Sequence, residues 1–161
     1  MRYIIALILC LVFGCASDPV THGVPNLAEV EPGIWRGGQP SLSGWTYLKG
    51  VGVSNVVKLN VESEGSDASA KALGFRVAYI PITTQQQMIG PVRPQLELAL
   101  KEIHPGTFVH CTHGVNRTGT LIILYRIKVD GWIKPGAIAE ADSFGWDSSF
   151  HALKDFVEDL K

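Results

Sequence analysis

Short apolar runs alternate with segments of helical periodicity along most of this chain. The runs at 53–59, 75–80 and 107–109 are rich in β-branched and aromatic residues, which indicates buried strands. Apolar residues at helical spacing over 92–103 predict an amphipathic helix before the last of these strands. Strands that alternate with helices predict one α/β domain with a central, mostly parallel sheet flanked by helices. In such folds ligands bind at the carboxyl ends of the strands.

Further helices are predicted from capping residues and periodicity. Ser41 is a suitable N-cap for a short helix that ends at Gly50. Helical segments are also predicted at 66–73, 133–141 and 148–160. With 161 residues and 46% hydrophobic content, the chain is long enough for these elements to enclose one core.

The stretch from His110 to Gly119 separates the strand at 107–109 from a nearly uninterrupted apolar run at 121–127. The predicted order is therefore strand, tight glycine-containing loop and buried helix. A loop in that position directs successive backbone N–H groups inward as an anion-binding nest, and the following helix adds its positive end. The stretch predicts a site for a phosphate group.

Two side chains of this loop are suited to phosphate transfer. Cys111 lies among the N–H dipoles that favour a thiolate, which is the nucleophilic form of cysteine. Arg117 stands six positions later and can grip two phosphate oxygens with its planar fork, which the point charge of lysine could not do equally well. Gly114, at the middle of the loop, permits a positive φ or a close backbone approach.

The other loop residues are expected to assist the reaction or to shape the loop. The hydroxyl of Thr118 could hydrogen-bond the thiolate and help the sulfur leave a phosphocysteine. His110 is expected to orient the loop rather than to touch substrate, and His113 is open to either a substrate contact or a role in loop shape. Thr112, Val115 and Asn116 complete the predicted phosphate-binding loop.

The pattern His-Cys-x-x-Gly-x-x-Arg-Thr resembles the signature of the cysteine-dependent protein tyrosine and dual-specificity phosphatase superfamily at every fixed position. The resemblance implies a two-step reaction in which Cys111 attacks phosphorus and water then hydrolyses the cysteinyl phosphate. It implies neither a metal nor another cofactor. A buried cysteine before an ordinary helix would not explain why an arginine stands six places on.

A second, looser resemblance covers the N-terminal half of the domain. The segments 35–40 and 56–60 are similar to those of atypical dual-specificity phosphatases from plants, fungi and bacteria. In that group both segments lie around the pocket, which makes Arg36 and Lys58 candidate contacts for additional phosphates. The competing interpretations are a solvated turn residue for Arg36 and a strand-end side chain that reaches solvent for Lys58.

The N-terminus predicts export. Residues 1–14 have the basic start and apolar core of a signal peptide, and the core is too short to span a bilayer. Cys15 follows a segment that resembles a bacterial lipobox, so we expect it to be lipidated, with the protein held in the outer membrane facing the periplasm. Ordinary secretion and an uncleaved anchor are the alternatives. Residues 15–30 are then expected to be a linker and 31–161 the phosphatase-like domain.

The superfamily's usual general acid is not identifiable. Most members carry an aspartate some thirty residues before the cysteine, but residues 68–110 contain none. The carboxylates there, Glu97 and Glu102, fall on the predicted amphipathic helix, where a solvated face explains them. Asp142 and Asp147, after the loop, are weak candidates.

Without an acid, the site favours stable leaving groups. General acid catalysis contributes about 10²–10⁴-fold and matters most for alkoxides. The loop is also similar to that of RNA 5′-triphosphatase domains, which cleave an anhydride. The formal charge of −1 gives no Lys/Arg excess for RNA, however.

From the sequence alone, small, densely phosphorylated molecules such as inositol polyphosphates are therefore the expected substrates. Arg36, Lys58, Arg93 and His113 are the expected basic contacts. Phosphotyrosine in a protein is a further substrate class. A phosphate-binding module without turnover is the alternative of another kind, although binding alone would not need a thiolate.

Overall fold

Five short strands form one sheet in the computed structural model, which describes residues 21–161. The strands are β1 Ala28–Glu31, β2 Ile34–Gly37, β3 Asn55–Lys58, β4 Arg76–Tyr79 and β5 Thr107–His110. Their order is β1-β2-β5-β3-β4, and every neighbouring pair is parallel except β1 with β2. The predicted mostly parallel α/β sheet is therefore confirmed, with β5 at its centre.

Helices cover both faces of this sheet. They are α1 Leu42–Gly50, α2 Ala68–Ala72, α3 Thr84–Ile89, α4 Arg93–Leu100, α5 Asn116–Lys128, α6 Lys134–Ser143 and α7 His151–Glu158, with a 3₁₀ turn at Glu62–Glu64. The predicted cap of α1 is present, because the Ser41 side chain accepts from the backbone N–H of Gly44. The hydrophobic pattern does not indicate α3. That helix begins with a capping box in which Thr83 and Gln86 each bind the other's backbone N–H.

Alternate strand residues face two separate cores. Val57 and Val109 pack on the side of α5, which is buried along residues 117–126 and therefore needs a nearly continuous apolar sequence. Val56 and Phe108 pack on the opposite side, where Phe108 meets the ring of Trp45 from α1 edge to face. β5 thus leads directly from the middle of the sheet into the most buried helix.

The domain begins earlier than the sequence suggests. Val24 is fully buried in the core that contains Phe108, and β1 already pairs with β2 from Ala28. The prediction of a linker is wrong for 24–30, because apolar residues spaced among polar ones pack against the sheet. The predicted signal peptide, the lipidation of Cys15 and the start of the linker lie outside the described residues. Among the described helices, none is both long and apolar enough to cross a membrane.

A buried arginine joins the N-terminal hairpin to the helical layer. The Arg126 guanidinium lies 2.6 Å from Glu140, 2.6 Å from Glu31 and 2.8 Å from Asp130, and donates to the Val30 carbonyl. These hydrogen bonds, led by those to Glu140, raise the pKa of Arg126 above its ordinary value despite its burial. One side chain therefore fixes β1, α5 and α6 relative to one another.

We expect Arg126→Met to destabilise the domain by about 3 kcal/mol, because it leaves carboxylates without their buried partner. Urea unfolding followed by circular dichroism measures this. Arg93→Met is the matched control, since the Arg93 pair with Glu97 is about half exposed and should contribute less than about 1 kcal/mol. Equal losses of unfolding free energy in Arg126→Met and Arg93→Met would contradict the larger contribution that we assign to Arg126.

Candidate active site

A cavity of about 210 Å³ opens above the carboxyl end of β5. Its floor is Cys111, which is 3% exposed, and Thr112, His113 and residues 115–117 of the predicted loop also line it. Other parts of the chain complete the wall with Glu64, Thr84, Gln87 and Phe150. The cavity thus forms where the sheet, the loop and the start of α5 meet, as the fold class predicts.

Two loop carbonyls are held away from this cavity by other segments. The carbonyl of Thr112 accepts from the backbone N–H of Gln39 at 2.9 Å. The carbonyl of His113 accepts from the side-chain amide of Asn26 at 2.9 Å. Because C=O and N–H point in opposite directions across a peptide unit, these contacts direct the next two N–H groups toward the cavity. The bend after β2 and the segment before β1 therefore shape the anion nest.

Gly114 makes the third such contact and explains the glycine in the motif. Its carbonyl accepts from Nη2 of Arg36 at 2.7 Å, which turns the N–H of Val115 inward. Its φ is +73°, and an added Cβ would lie 2.3 Å from the carbonyl carbon of Gly37. Both predicted reasons for a glycine, positive φ and close approach, therefore hold here.

Arg117 reaches back over the loop as predicted. Its Nη1 donates to the Ile82 carbonyl at 2.9 Å and lies 2.6 Å from the Glu64 carboxylate, while Nη2 donates to the Thr112 hydroxyl at 3.0 Å. Glu64 also accepts from the hydroxyls of Thr112 and Thr84. The guanidinium is thus fixed at the cavity edge, only 6% of its residue surface being exposed.

Glu64 is the functional candidate that the sequence prediction missed. Burial would raise the pKa of this carboxyl, but hydrogen bonding and charge from Arg117, with help from Thr112, lower it below the ordinary value. Glu64 is therefore ionised at neutral pH and is no ready proton donor. Its position after β3, next to the central strand, was a usable signal, since parallel strand ends converge on one edge.

A buried polar network lies behind Cys111. Nε2 of His110 lies 3.0 Å from the Asp67 carboxylate, and the amide of Gln39 donates to the same carboxylate at 2.8 Å. His110 therefore faces away from the cavity, in agreement with its predicted orienting role. The hydroxyl of Thr118 lies 3.5 Å from the carbonyl of Gly37, so its predicted bond to the Cys111 sulfur is not formed in this structure.

Lys58 and Arg36, which the resemblance predicted as contacts for additional phosphates, do not line the cavity. Lys58 is fully buried behind the loop, where it bonds to Glu62 and the Gly65 carbonyl and lies 3.7 Å from Asp67. Arg36 is 1% exposed beneath the loop. Both predictions of substrate contact are wrong, because these side chains run under the strand ends instead of over them.

Arg93 is also outside the cavity. It pairs with Glu97 and Asp159 and stacks on Phe156, in a separate groove between the α3–α4 connection and α7. Of the four basic residues predicted to contact additional phosphates, only His113 lines the cavity among the described residues, where it joins Arg117. The described lining therefore carries one arginine, one histidine and the anionic Glu64.

No replacement acid lines the cavity among residues 21–161. Asp142 is exposed on α6, and the carboxylate of Asp147 accepts both the N–H and the hydroxyl of Ser149, which lowers its pKa. Only the backbone of Asp147 approaches the loop, through the side chain of Asn116. Glu97 lies on a solvent-exposed face, as predicted, and Glu102 forms an ion pair with Arg76 of β4.

A family model described as "DSP-PTPase phosphatase fused to NAD+ Kinase" matches residues 20–151. The dual specificity protein phosphatase TpbA of Pseudomonas aeruginosa is 28% identical over 125 residues, which is 75% of this chain and 55% of TpbA. The chain therefore spans about half the length of the curated relatives it matches.

Solved structures extend the comparison to the fold. A crystal structure of P. aeruginosa TpbA has a TM-score of 0.69 at 25% identity and covers 91% of this chain and 89% of TpbA as crystallised. A cysteine-to-serine variant of TpbA in complex with pTyr has a TM-score of 0.69 at 24% identity, covering 84% and 85%. The catalytic core of the PP-IP phosphatase SIW14 from S. cerevisiae has a TM-score of 0.68 at 21% identity, covering 86% and 87%.

The network behind Cys111 should make stability depend on pH. Burial would raise the pKa of Asp67, but the hydrogen bond from His110, with Gln39 and Lys58, outweighs it and lowers the pKa. A lowered folded-state pKa adds stability that is present above the unfolded value of about 4 and is lost as pH falls through the folded value. We expect Asp67→Asn to cost about 1–3 kcal/mol at pH 7.

The difference in the free energy of unfolding between wild type and Asp67→Asn should stay constant from pH 7 to about 5 and become smaller below about 4. Urea titrations across this range measure it. A gap that widens in acid would contradict the assignment of the Asp67 carboxylate.

The aspartates outside the cavity should be dispensable for chemistry. We expect Asp142→Asn and Asp147→Asn, singly and together, to hydrolyse a phosphoserine peptide, whose alkoxide leaving group depends most on protonation, within about threefold of wild type, whereas loss of a general acid costs about 10²–10⁴-fold. Steady-state kcat and its pH profile measure this. A 100-fold loss confined to either variant would identify that aspartate as the missing acid.

Proposed function

Because this chain belongs to the DSP-PTPase phosphatase family, we propose that it hydrolyses aryl phosphates, phosphotyrosine above all, through a cysteinyl-phosphate intermediate. The observation that carries the proposal is the composition of one cavity. A cysteine floor, convergent loop amides and a single fixed arginine fit one phosphate group. The lining formed by residues 21–161 offers no carboxylic acid that could protonate a poor leaving group.

The proposed reaction has two displacements at phosphorus. The thiolate of Cys111 attacks phosphorus, the P–O bond to the substrate breaks, and its electron pair leaves with the phenolate. Water then attacks the cysteinyl phosphate, the S–P bond breaks, and inorganic phosphate and the thiolate are released. The inward N–H groups and Arg117 stabilise the charge on the equatorial oxygens in both steps.

The leaving group is the first argument for an aryl substrate. Glu64 is the carboxylate of the described lining, and its lowered pKa leaves it unprotonated at neutral pH. Phenolates leave as comparatively stable anions, whereas the alkoxides of phosphoserine need protonation. An ionised Glu64 would suit the second step better, since hydrolysis of the intermediate requires removal of a proton from water.

The charge of the cavity lining is the second argument for an aryl substrate with one phosphate. A densely phosphorylated ligand needs several cations, and the described lining supplies one arginine, Arg117, and the imidazole of His113 opposite the anionic Glu64. Substrates with one phosphate match this balance better. Similarity to TpbA, a dual specificity protein phosphatase whose variant has been crystallised with pTyr, supports the same substrate class.

Inositol pyrophosphates are the second candidate. They are phosphoanhydrides, so their leaving group is a stable phosphate and needs no general acid. The structural likeness to the PP-IP phosphatase SIW14 favours them. They rank below aryl phosphates because Arg36 and Lys58, the expected contacts for additional phosphates, are buried behind the loop.

We also propose that the phosphatase works in the bacterial cell envelope, anchored by a lipid on Cys15. The support is the apolar segment of residues 1–14 and the lipobox-like sequence before the cysteine. Labelling of the expressed full chain with a radioactive fatty acid tests this. Incorporation that persists in Cys15→Ser would contradict the assignment.

A substrate panel tests the proposed function. For the purified chain, we expect kcat/KM for a phosphotyrosine peptide to exceed that for the matching phosphoserine peptide by about tenfold or more, because an alkoxide leaves poorly without an acid. The panel includes an inositol pyrophosphate, inositol hexakisphosphate, pyrophosphate and triphosphate-ended RNA. Cys111→Ser should abolish turnover while phosphate binding persists.

The other outcomes have distinct meanings. A tenfold preference for the inositol pyrophosphate would replace the proposed substrate by the second candidate, and the same preference for RNA ends would indicate a 5′-triphosphatase. Phosphate binding without turnover on any substrate would indicate a non-catalytic binding module. Turnover that survives Cys111→Ser would overturn the mechanism itself.

A further inference from the structure

A second arginine lies beneath the phosphate-binding loop. Arg36 belongs to β2 and is 1% exposed, so it cannot meet substrate in the cavity. Its Nη2 donates to the Gly114 carbonyl at 2.7 Å, and its guanidinium stacks on the ring of Phe144 at 4.0 Å. The side chain therefore spans from the second strand to the back of the loop.

The charge of Arg36 is incompletely compensated. No carboxylate of residues 21–161 forms an ion pair with it, and its Nε and Nη1 have no hydrogen-bond partner there. Burial lowers its pKa to about 10, with Arg126 acting in the same direction and Glu140 and Cys111 opposing it. Arg36 is therefore still a cation at neutral pH, in a place where an unpaired charge is costly.

We propose that Arg36 is a positioning residue of the phosphatase reaction, which aims the Val115 N–H at the phosphoryl group and places a buried positive charge behind Cys111. Its hydrogen bond to the Gly114 carbonyl fixes the orientation of the peptide that carries this N–H. Negative charge on the sulfur, and then on the phosphoryl group bound to it, supplies the counter-charge that the described protein does not provide. The inference rests on the proposed thiolate chemistry but not on the identity of the substrate.

The surrounding charges do not duplicate this role. Arg117 is on the open side of the loop, where Glu64 partly neutralises it. Glu140 acts on Arg36 but is paired at 2.6 Å with Arg126. Lys58, the other buried cation on the side of the sheet, is paired with Glu62 and lies 3.7 Å from Asp67. Arg36 thus approaches the loop from the side of the sheet without a carboxylate partner among residues 21–161, through a low-dielectric region where a charge acts strongly.

The test separates charge from shape with three variants. Arg36→Met removes the charge and the hydrogen bond, Arg36→Lys keeps a buried cation and a donor, and Asn26→Ala removes the neutral donor to the neighbouring His113 carbonyl. Circular dichroism and urea unfolding of each full-length variant establish that it is folded. Iodoacetamide alkylation of Cys111 is then followed against pH by mass spectrometry, which distinguishes this cysteine from Cys10 and Cys15.

We expect Arg36→Met to move the alkylation profile of Cys111 to higher pH and to lower kcat on an aryl phosphate by about 10- to 100-fold, since a positioned donor and a charge are lost. Arg36→Lys should restore the profile and part of kcat. Asn26→Ala should lower kcat without moving the profile, because no charge is removed. The alkylation needs no substrate, so a wrong substrate assignment leaves this test intact.

Two outcomes would overturn the inference. In one, folded Arg36→Met keeps the wild-type alkylation profile and kcat. In the other, Arg36→Lys and Asn26→Ala both move the profile as far as Arg36→Met does, which would reduce Arg36 to a support for loop shape. If Arg36→Met does not fold, the comparison of Arg36→Lys with Asn26→Ala decides between the same two interpretations.

Discussion

The phosphate-binding loop can present its N–H groups only because other segments hold its carbonyl groups outward. Three successive carbonyls, those of residues 112, 113 and 114, are bound by the backbone of Gln39, the amide of Asn26 and the guanidinium of Arg36. Each contact turns the following peptide N–H toward the cavity. The anion site is therefore built by the segment before β1 and by β2, although the signature itself lies between β5 and α5.

This arrangement explains the glycine at position 38, in the bend after β2. Cβ atoms on Gly114 or Gly38 would each come within 3 Å of backbone atoms across the contact, so loop and bend pack main chain to main chain. Residues 26–39 are consequently part of the architecture that shapes the loop. Arg36, in β2 just before this bend, lies under the loop, where it binds the Gly114 carbonyl.

The electrostatics of the cavity separate two kinds of cation. Arg117 lines the cavity and is held by Glu64, whereas Arg36 and Lys58 lie within the protein, in contact with the loop or with the network of Asp67. Glu64 is kept ionised by its arginine, so the cavity lining of the described residues has no protonated carboxyl at neutral pH. A single phosphate on a stable leaving group is the substrate that these charges fit best.

Much of the fold was predictable because its signals are local. Strand runs, the Ser41 cap and the buried run of α5 depend on neighbouring residues, and the glycine and arginine of the motif act within ten positions of the cysteine. The predictions failed where a side chain's direction depends on a distant segment. Lys58 and Arg36 were assigned to the cavity from a resemblance, and Glu64 was overlooked because it precedes the region in which an acid was sought.

The sequence by itself determined the order strand, loop, helix, the cysteine and arginine of a phosphate site, and the glycine that its loop conformation requires. Only the tertiary structure decided which basic residues face substrate, which carboxylate meets Arg117 and what orients the loop amides. The physical reason is that hydrogen bonds between residues 26 and 113, 36 and 114, or 64 and 117 form only after β2, β3 and β5 are placed side by side.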